Sequence, residues 1–266
     1  MLRVHLLASG SSGNCALIEA GEGLDRVVLA LDCGIAQRTA RGLAEAAGLS
    51  LTAVEAVLLT HRHSDHASNI VPVASRARAP LYAHHEALGT SKRTSFSEIN
   101  RRGVEVRNFQ DRGFFKIGPV VVTPIQLPHD ADPTFGFLFE TETSKVGFFT
   151  DLGRPEILMD GILDGIDTLV LESNHDRDML EKGPYPYLLR QRVGGDLGHL
   201  SNEQTQEILA AAAPKSLRHL VLAHLSLKNN SEALALEGAQ AALERRGLQG
   251  VSLRAAPARA LLQAGL

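Results

Sequence analysis

Six consecutive residues, His61-Arg62-His63-Ser64-Asp65-His66, hold three imidazoles and a carboxylate. In extended backbone His61 and His63 share a side, because side chains alternate with a period of two. Asp65 and His66 then lie at an expected turn into a helix. Four ligand-type groups in six residues exceed the three protein ligands of a catalytic tetrahedral ion. A lone histidine in a soluble protein is usually a surface or hydrogen-bonded residue. A cluster directly behind a buried-strand pattern calls for another account, and holding divalent cations that activate water is the chemistry it suits. Three further positions repeat one placement, a ligand-type residue directly after an apolar β-run. These are His129 after VVVTPIQLP, Asp151 after KVGFFT and His224 after LRHLVLA. Strand ends are where rigid scaffolds set functional groups. Imidazoles and carboxylates without thiolate suit zinc, manganese or iron.

The elements that must position these residues follow from the hydrophobic pattern. Strands are expected over 2–8, 16–20, 26–32, 53–60 and 81–83, with helices over 36–47 and 67–77 and a basic helical region over 86–102. From 104 the chain turns strongly β, and the Asp111-Arg112-Gly113 tripeptide and the 141–144 segment are expected hairpin turns. After 151 the order becomes helix, strand (167–172), long loop (174–200), helix (202–213), strand (218–223), helix (231–246) and a last strand. Two β-rich blocks, each trailing into helices, predict a four-layer αββα sandwich of the α/β class, with two mixed sheets inside and helices outside. The absence of linkers and repeats makes residues 1–266 one expected domain.

Composition sets bounds on function. The 266 residues carry a formal net charge of −3, which does not mark a nucleic-acid binder by bulk charge. A local basic cluster at Lys92, Arg93, Arg101, Arg102 and Arg107 could track a phosphate backbone, or could be a solvated helical face. The two cysteines, Cys15 and Cys33, form no C-x-x-C pair and are expected as free thiols. No signal peptide and no apolar run of membrane-spanning length is present, so a cytoplasmic protein without membrane attachment is expected. The sequence carries no signal for an oligomeric state.

Two later segments bear on substrate. Glu172 ends a predicted strand, and His199 lies in a loop that enters a helix capped by Ser201 or Asn202. A carboxylate-held imidazolium there could neutralise charge and protonate a leaving oxygen. The alternative is that His199 merely sits at a helix start. The 174–200 loop carries Tyr185, Arg190 and Arg192, groups that suit base stacking and phosphate contact, or else the packing of a structural loop.

H-x-H-x-D-H, an isolated His, an Asp in F-x-D-x-G context and a late His together resemble the metallo-β-lactamase superfamily. The resemblance implies that His61, His63 and His129 hold one metal ion, that Asp65, His66 and His224 hold the second, and that Asp151 bridges both. Zinc is the first expectation for both ions. It also implies that Asp32 supports the histidine loop without touching metal, and that Asp65 orients the attacking water. The Glu172 and His199 pair resembles one that the phosphodiesterase and tRNA-processing nuclease branch sets near its metals. SGSSGNC at 9–15, HRHSDH, ESNHD, GPYP, GHLSN and AHLSLKNN resemble one subgroup, the YycJ (also WalJ or VicX) proteins. That resemblance implies a two-metal phosphodiesterase acting on DNA, a 5′→3′ exonuclease with a part in DNA repair, and Ser12 and Asn14 as further substrate contacts. A small-molecule hydrolase acting on a thioester, lactone or cyclic phosphodiester is the alternative. A non-catalytic metal-binding protein is the third reading.

Overall fold

The structure, a computed structural model, describes residues 1–89 and 91–265. The first half contributes strands β1 (Leu2–Ala8), β2 (Cys15–Ala20), β3 (Val27–Leu31), β4 (Ala56–Leu58), β5 (Leu81–Tyr82) and β6 (Val106–Arg107). The second contributes β7 (Phe115–Ile117), β8 (Val120–Leu127), β9 (Thr134–Glu140), β10 (Lys145–Phe149), β11 (Thr168–Glu172), β12 (His219–Ala223) and β13 (Ser252–Ala255). A last strand, β14 (Leu262–Ala264), returns to the first sheet. The α-helices are α1 (Gln37–Ala46), α2 (Ser64–Ala67), α3 (Ile70–Ala77), α4 (Phe96–Arg101), α5 (Arg177–Lys182), α6 (Tyr187–Val193), α7 (Asn202–Ala212) and α8 (Glu232–Arg245).

Both sheets obey one rule. The first runs β14-β1-β2-β3-β4-β5-β6 and the second β13-β12-β11-β10-β9-β8-β7. In each, pairing is antiparallel up to one strand and parallel beyond it; the switch falls between β3 and β4 and between β10 and β11. Alternation along the central strands then creates three apolar layers. Leu29, Leu31, Val170 and Val221 face the seam between the sheets, with Phe135, Phe137 and Phe139. Val28 and Ala30 face outward onto Ala40, Ala44, Val71 and Ala74 of α1 and α3. Leu169, Leu171, Leu220 and Leu222 face outward onto α7 and α8. Strands buried on both faces read as continuous apolar runs, as parallel strands do. The result is the four-layer αββα sandwich.

Five sequence expectations change. The strand expected at 53–60 is only Ala56–Leu58, and the helix expected at 67–77 breaks into α2 and α3. The break has a cause: the backbone around it is taken up by neighbouring loops. His66 O accepts from Cys33 N, Asp65 O accepts from Asn14 N, and Asn69 N donates to Cys33 O. The basic helix expected at 86–102 is a short turn at His85–Ala87 followed by α4; Thr90 within it lies outside the described residues. Asp111-Arg112-Gly113 joins the first sheet to the second instead of closing a hairpin, whereas 141–144 does join β9 to β10. The expected long loop at 174–200 contains α5 and α6.

Candidate metal centre

The parallel strands of both sheets end at one place, and the ligand-type residues follow those ends. In such sheets the crevice beyond the strand C-termini, at the switch in strand order, is the usual place for a site. Asp32 follows β3, the His61–His66 loop follows β4, Asp151 follows β10, Glu172 ends β11 and His224 follows β12. Asp32, Asp151 and His224 adopt left-handed φ of 55°, 63° and 58°, which turns each side chain sharply at its strand end. That backbone is uncommon outside glycine and strained, so the surrounding structure must enforce it. A glycine completes the loop packing: a Cβ on Gly34 would lie 1.6 Å from the carbonyl oxygen of Asp65. Only a hydrogen there lets the 32–35 turn seat the histidine loop.

Four overlapping groups of ligand atoms result, each with its atoms within 4.8 Å of one another. His61, His63 and His129 form one; Asp65, His66 and His224 form another. Asp151 lies beside both: its carboxylate is 3.4 Å from His66 Nε2, 3.7 Å from His224 Nδ1 and 4.0 Å from His129 Nε2. Nε2 of His61, His129 and His224 and Oδ2 of Asp151 are buried without a hydrogen-bond partner. Buried polar atoms are nearly always partnered. These orphans, three imidazole lone pairs and a carboxylate oxygen spread over the adjoining groups, fit divalent cations. Burial, with the charge of His66 second, holds the pKa of His61 well below the ordinary imidazole range, so it presents a lone pair. Burial would raise the pKa of Asp151, yet the imidazoles of His224, His66, His61 and His199 hold it well below the carboxylate range.

The other ring nitrogens explain the orientation. Asp32 Oδ2 accepts from His66 Nδ1 (2.7 Å) and from Thr60 Oγ1 (2.8 Å), and Asp32 Oδ1 accepts from Thr60 N (2.9 Å). Thr60 Oγ1 in turn lies 3.0 Å from His61 Nδ1. One carboxylate therefore fixes His66 directly and His61 through a hydroxyl, a recurring support for metal-binding imidazoles. His129 Nδ1 donates to Gly198 O at 2.9 Å. Glu172 does more than hold His199. Its Oε1 accepts from Nδ1 of both His199 and His224, each at 2.9 Å, and its Oε2 accepts from Leu152 N and Leu200 N. Four donors saturate this buried carboxylate, so it orients imidazoles and has no lone pair to spare for an ion. Burial opposes its charge, but His199 and His224 bring its pKa down to about 2. Burial likewise opposes charge on His199, yet Glu172, then Asp151 and Asp130, push its pKa up to about 9.

A cavity of about 210 Å³ opens beside these groups, lined by His63, Asp65, Asp151, His199 and His224, with Tyr185 and Arg192 on its other wall. Ser11 lines it where Ser12 was expected. Asn14 is buried and turned inward; its Nδ2 lies 2.8 Å from His66 Nε2, and its Oδ1 accepts from Gly10 N. The structure does not bring Arg190 to this cavity, because its guanidinium donates to Glu181 O. In the basic cluster Arg101 and Arg102 share Glu98, and Arg107 pairs with Glu105 and donates to Tyr82. Asp130 was missed. Its Oδ1 lies 3.3 Å from His63 Nε2 and 3.5 Å from His129 Nε2, while Oδ2 pairs with Arg192. The only sequence signal was its place next to His129. Cys15 and Cys33 are free and buried. No helix among the described residues is long and apolar enough to cross a membrane.

Comparison with known proteins agrees with this geometry. The profile of the β-lactamase superfamily domain matches residues 18–225. The chain is 31% identical over 247 residues to "Exodeoxyribonuclease YycJ" of Bacillus anthracis, covering 92% of this chain and 90% of that protein. It is 29% identical to "Exodeoxyribonuclease WalJ" of Streptococcus pneumoniae, covering 88% and 85%. The fold is similar to that of the metallo-β-lactamase fold protein YhfI from Bacillus subtilis, with a TM-score of 0.69 at 18% identity over 99% of both chains. It is also similar to Zn²⁺-bound PqqB from Methylobacterium extorquens, with a TM-score of 0.68 at 18% identity over 99% and 100%. Divalent metal is implied by the fold and by the donor set that the chain presents. The chain belongs to the metallo-β-lactamase superfamily, as a hydrolase of that fold in the group that takes in YycJ and WalJ.

Proposed function

We propose that the protein is a two-metal phosphodiesterase acting on DNA, a 5′→3′ exonuclease with a part in repair. The observation that carries the reading is an imidazole held by a saturated carboxylate beside the orphaned ligand atoms, His199 on Glu172. The names borne by the YycJ and WalJ relatives support the substrate, and the small cavity walled by α6 suits a strand end better than a continuous strand. In this reading His61, His63 and His129 hold one ion, Asp65, His66 and His224 hold the other, and Asp151 reaches both. Two divalent ions, zinc first with manganese or iron as alternatives, would supply charge neutralisation on the phosphate and lower the pKa of an attacking water. Asp65 orients the attacking water. His199 carries the proton: Nδ1–H is fixed on Glu172, which leaves Nε2–H to meet the phosphate and protonate the leaving oxygen. A DNA substrate makes Tyr185 and Arg192 contacts for the terminal nucleotide.

Release of nucleotides from 5′-labelled duplex DNA with Mn²⁺ or Zn²⁺, and none from His63→Ala, tests the activity. For the proton donor, His199→Ala should keep its metal and lose roughly 10²–10⁴ in rate, the range for a lost general acid. The loss should shrink on a nitrophenyl phosphodiester, whose leaving group needs little protonation. Glu172→Gln removes the charge that raises the His199 pKa, so the alkaline fall of kcat should move to lower pH. Equal losses on good and poor leaving groups would remove the acid role.

A further inference from the structure

Helix α6 separates two cavities. Leu189, Arg192 and Val193, spaced i, i+3, i+4, line the cavity at the metal centre. Tyr187, Arg190, Gln191 and Gly194, spaced i, i+3, i+4, i+7, line a second cavity of about 610 Å³ on the far side. That spacing puts each set on one face of a helix. No residue of α6 is buried, so the helix is not held by a core of its own. It is anchored by Arg192 on Asp130 and by Arg190 on the last turn of α5. A helix with one side on each of two cavities and no buried residue can be contacted on both sides.

Three cations line the second cavity. Arg177 and Lys182 of α5 and Arg190 of α6 surround it, against one lining carboxylate, Glu181. Arg177 lies 3.6 Å from Glu203, and Lys182 lies 2.8 Å from Asp178 in an exposed i,i+4 pair. Exposed pairs of this kind are worth little and exchange readily for a better anion. His175 also lines the cavity: it is buried, it makes no side-chain hydrogen bond, and its Nδ1 is an orphan. Its backbone bridges to Ser201 and accepts from Asn202 N. On the crest between the cavities Tyr187 and Leu188 are 64% and 80% exposed, an aromatic and an aliphatic face open to a nucleobase.

We infer that this second cavity is a subsite for a phosphate of the same DNA strand, with α6 the bar over which the strand bends before its end enters the metal centre. The inference rests on the DNA reading above. It accounts for three cations outside the catalytic cavity and for the exposed crest. The strand must cross a helix about 10 Å wide, so the subsite is reached only by a substrate longer than a dinucleotide.

The test uses the metal-loaded full chain with Arg177→Ala and Lys182→Ala combined, on three substrates. On bis(nitrophenyl) phosphate and on a dinucleotide, the variant should match the parent within about twofold, which also shows that it is folded and loaded. On a single-stranded 12-mer its KM should rise at least about tenfold, and the slope of log KM against log salt should fall by about 0.7, the share of one phosphate contact on a single strand. An unchanged KM and slope on the 12-mer overturns the subsite while leaving the nuclease intact. An equal loss on the dinucleotide also overturns it, because the cations would then serve the metal centre. A parent that cleaves the nitrophenyl diester but neither cleaves nor binds any oligonucleotide overturns the DNA reading, and the subsite with it.

Discussion

Asp32 and Asp151 stand at matching places in the two sheets. Each follows the last antiparallel strand before the parallel set begins, and each bends away from its strand with a left-handed φ. Both are buried. They end in opposite states. Asp32 gives its carboxylate to Thr60 N, Thr60 Oγ1 and His66 Nδ1. Asp151 keeps Oδ2 free of any partner and is ringed by imidazoles. The same backbone device produces a support in one sheet and an open donor in the other. Position alone does not make a carboxylate a ligand; the donors already waiting for it decide. Thr60 supplies two of them beside Asp32, and nothing comparable stands beside Asp151.

The sharpest way to break this contrast is to neutralise each carboxylate in turn. Asp151→Asn keeps the shape but removes the charge shared by both ligand groups. Bound metal should fall to one ion or fewer per chain and turnover should drop by more than about 10³, the scale on which charge stabilisation in a site acts. Elemental analysis showing two ions in this variant would end the assignment of Asp151 as the open partner. Asp32→Asn should behave differently. Affinity for metal should weaken about 10–100-fold, as for other supports of ligating imidazoles, and activity should return at saturating metal. If added metal fails to rescue Asp32→Asn, the two carboxylates are not distinct in role. The smallest effect belongs to Thr60→Val. It removes the relay hydroxyl that donates to Asp32 and holds His61 Nδ1, so the larger loss, about 1 kcal/mol or roughly fivefold in affinity, should fall on the ion held by His61, His63 and His129. Titration with a metal indicator would reveal it, and an effect on both ions alike would place the relay elsewhere.

The same contrast marks what the sequence can carry. Ligand-type residues at 61–66, 129, 151 and 224 were legible because each ends an apolar run, and a strand end points to a site. The layers were legible because strands buried on both faces read as unbroken apolar runs. Thr60 was not: a threonine before a histidine loop has no signature, and its role exists only once β3 and β4 lie side by side. Asp130 was lost among ordinary surface carboxylates. The turn at 111–113 was read rightly as a reversal and wrongly as a hairpin, since turn chemistry does not name the strand that follows. Helices α5 and α6 escaped because a short helix with few or no buried residues leaves no apolar period to detect.

His224 N donates to Ser9 Oγ, a contact between residues 215 positions apart, and the ring of His224 shares Glu172 with His199. During synthesis this contact sets an order of events. The histidine loop emerges from the ribosome in the first quarter of the chain, at a time when neither Asp151 nor His224 has been made. At the usual pace of about 5–20 residues per second, some ten to thirty seconds pass before the last of these side chains follows. Until then the early histidines lack the side chains that complete both groups, so the full ligand set exists only once the second sheet has closed on the first.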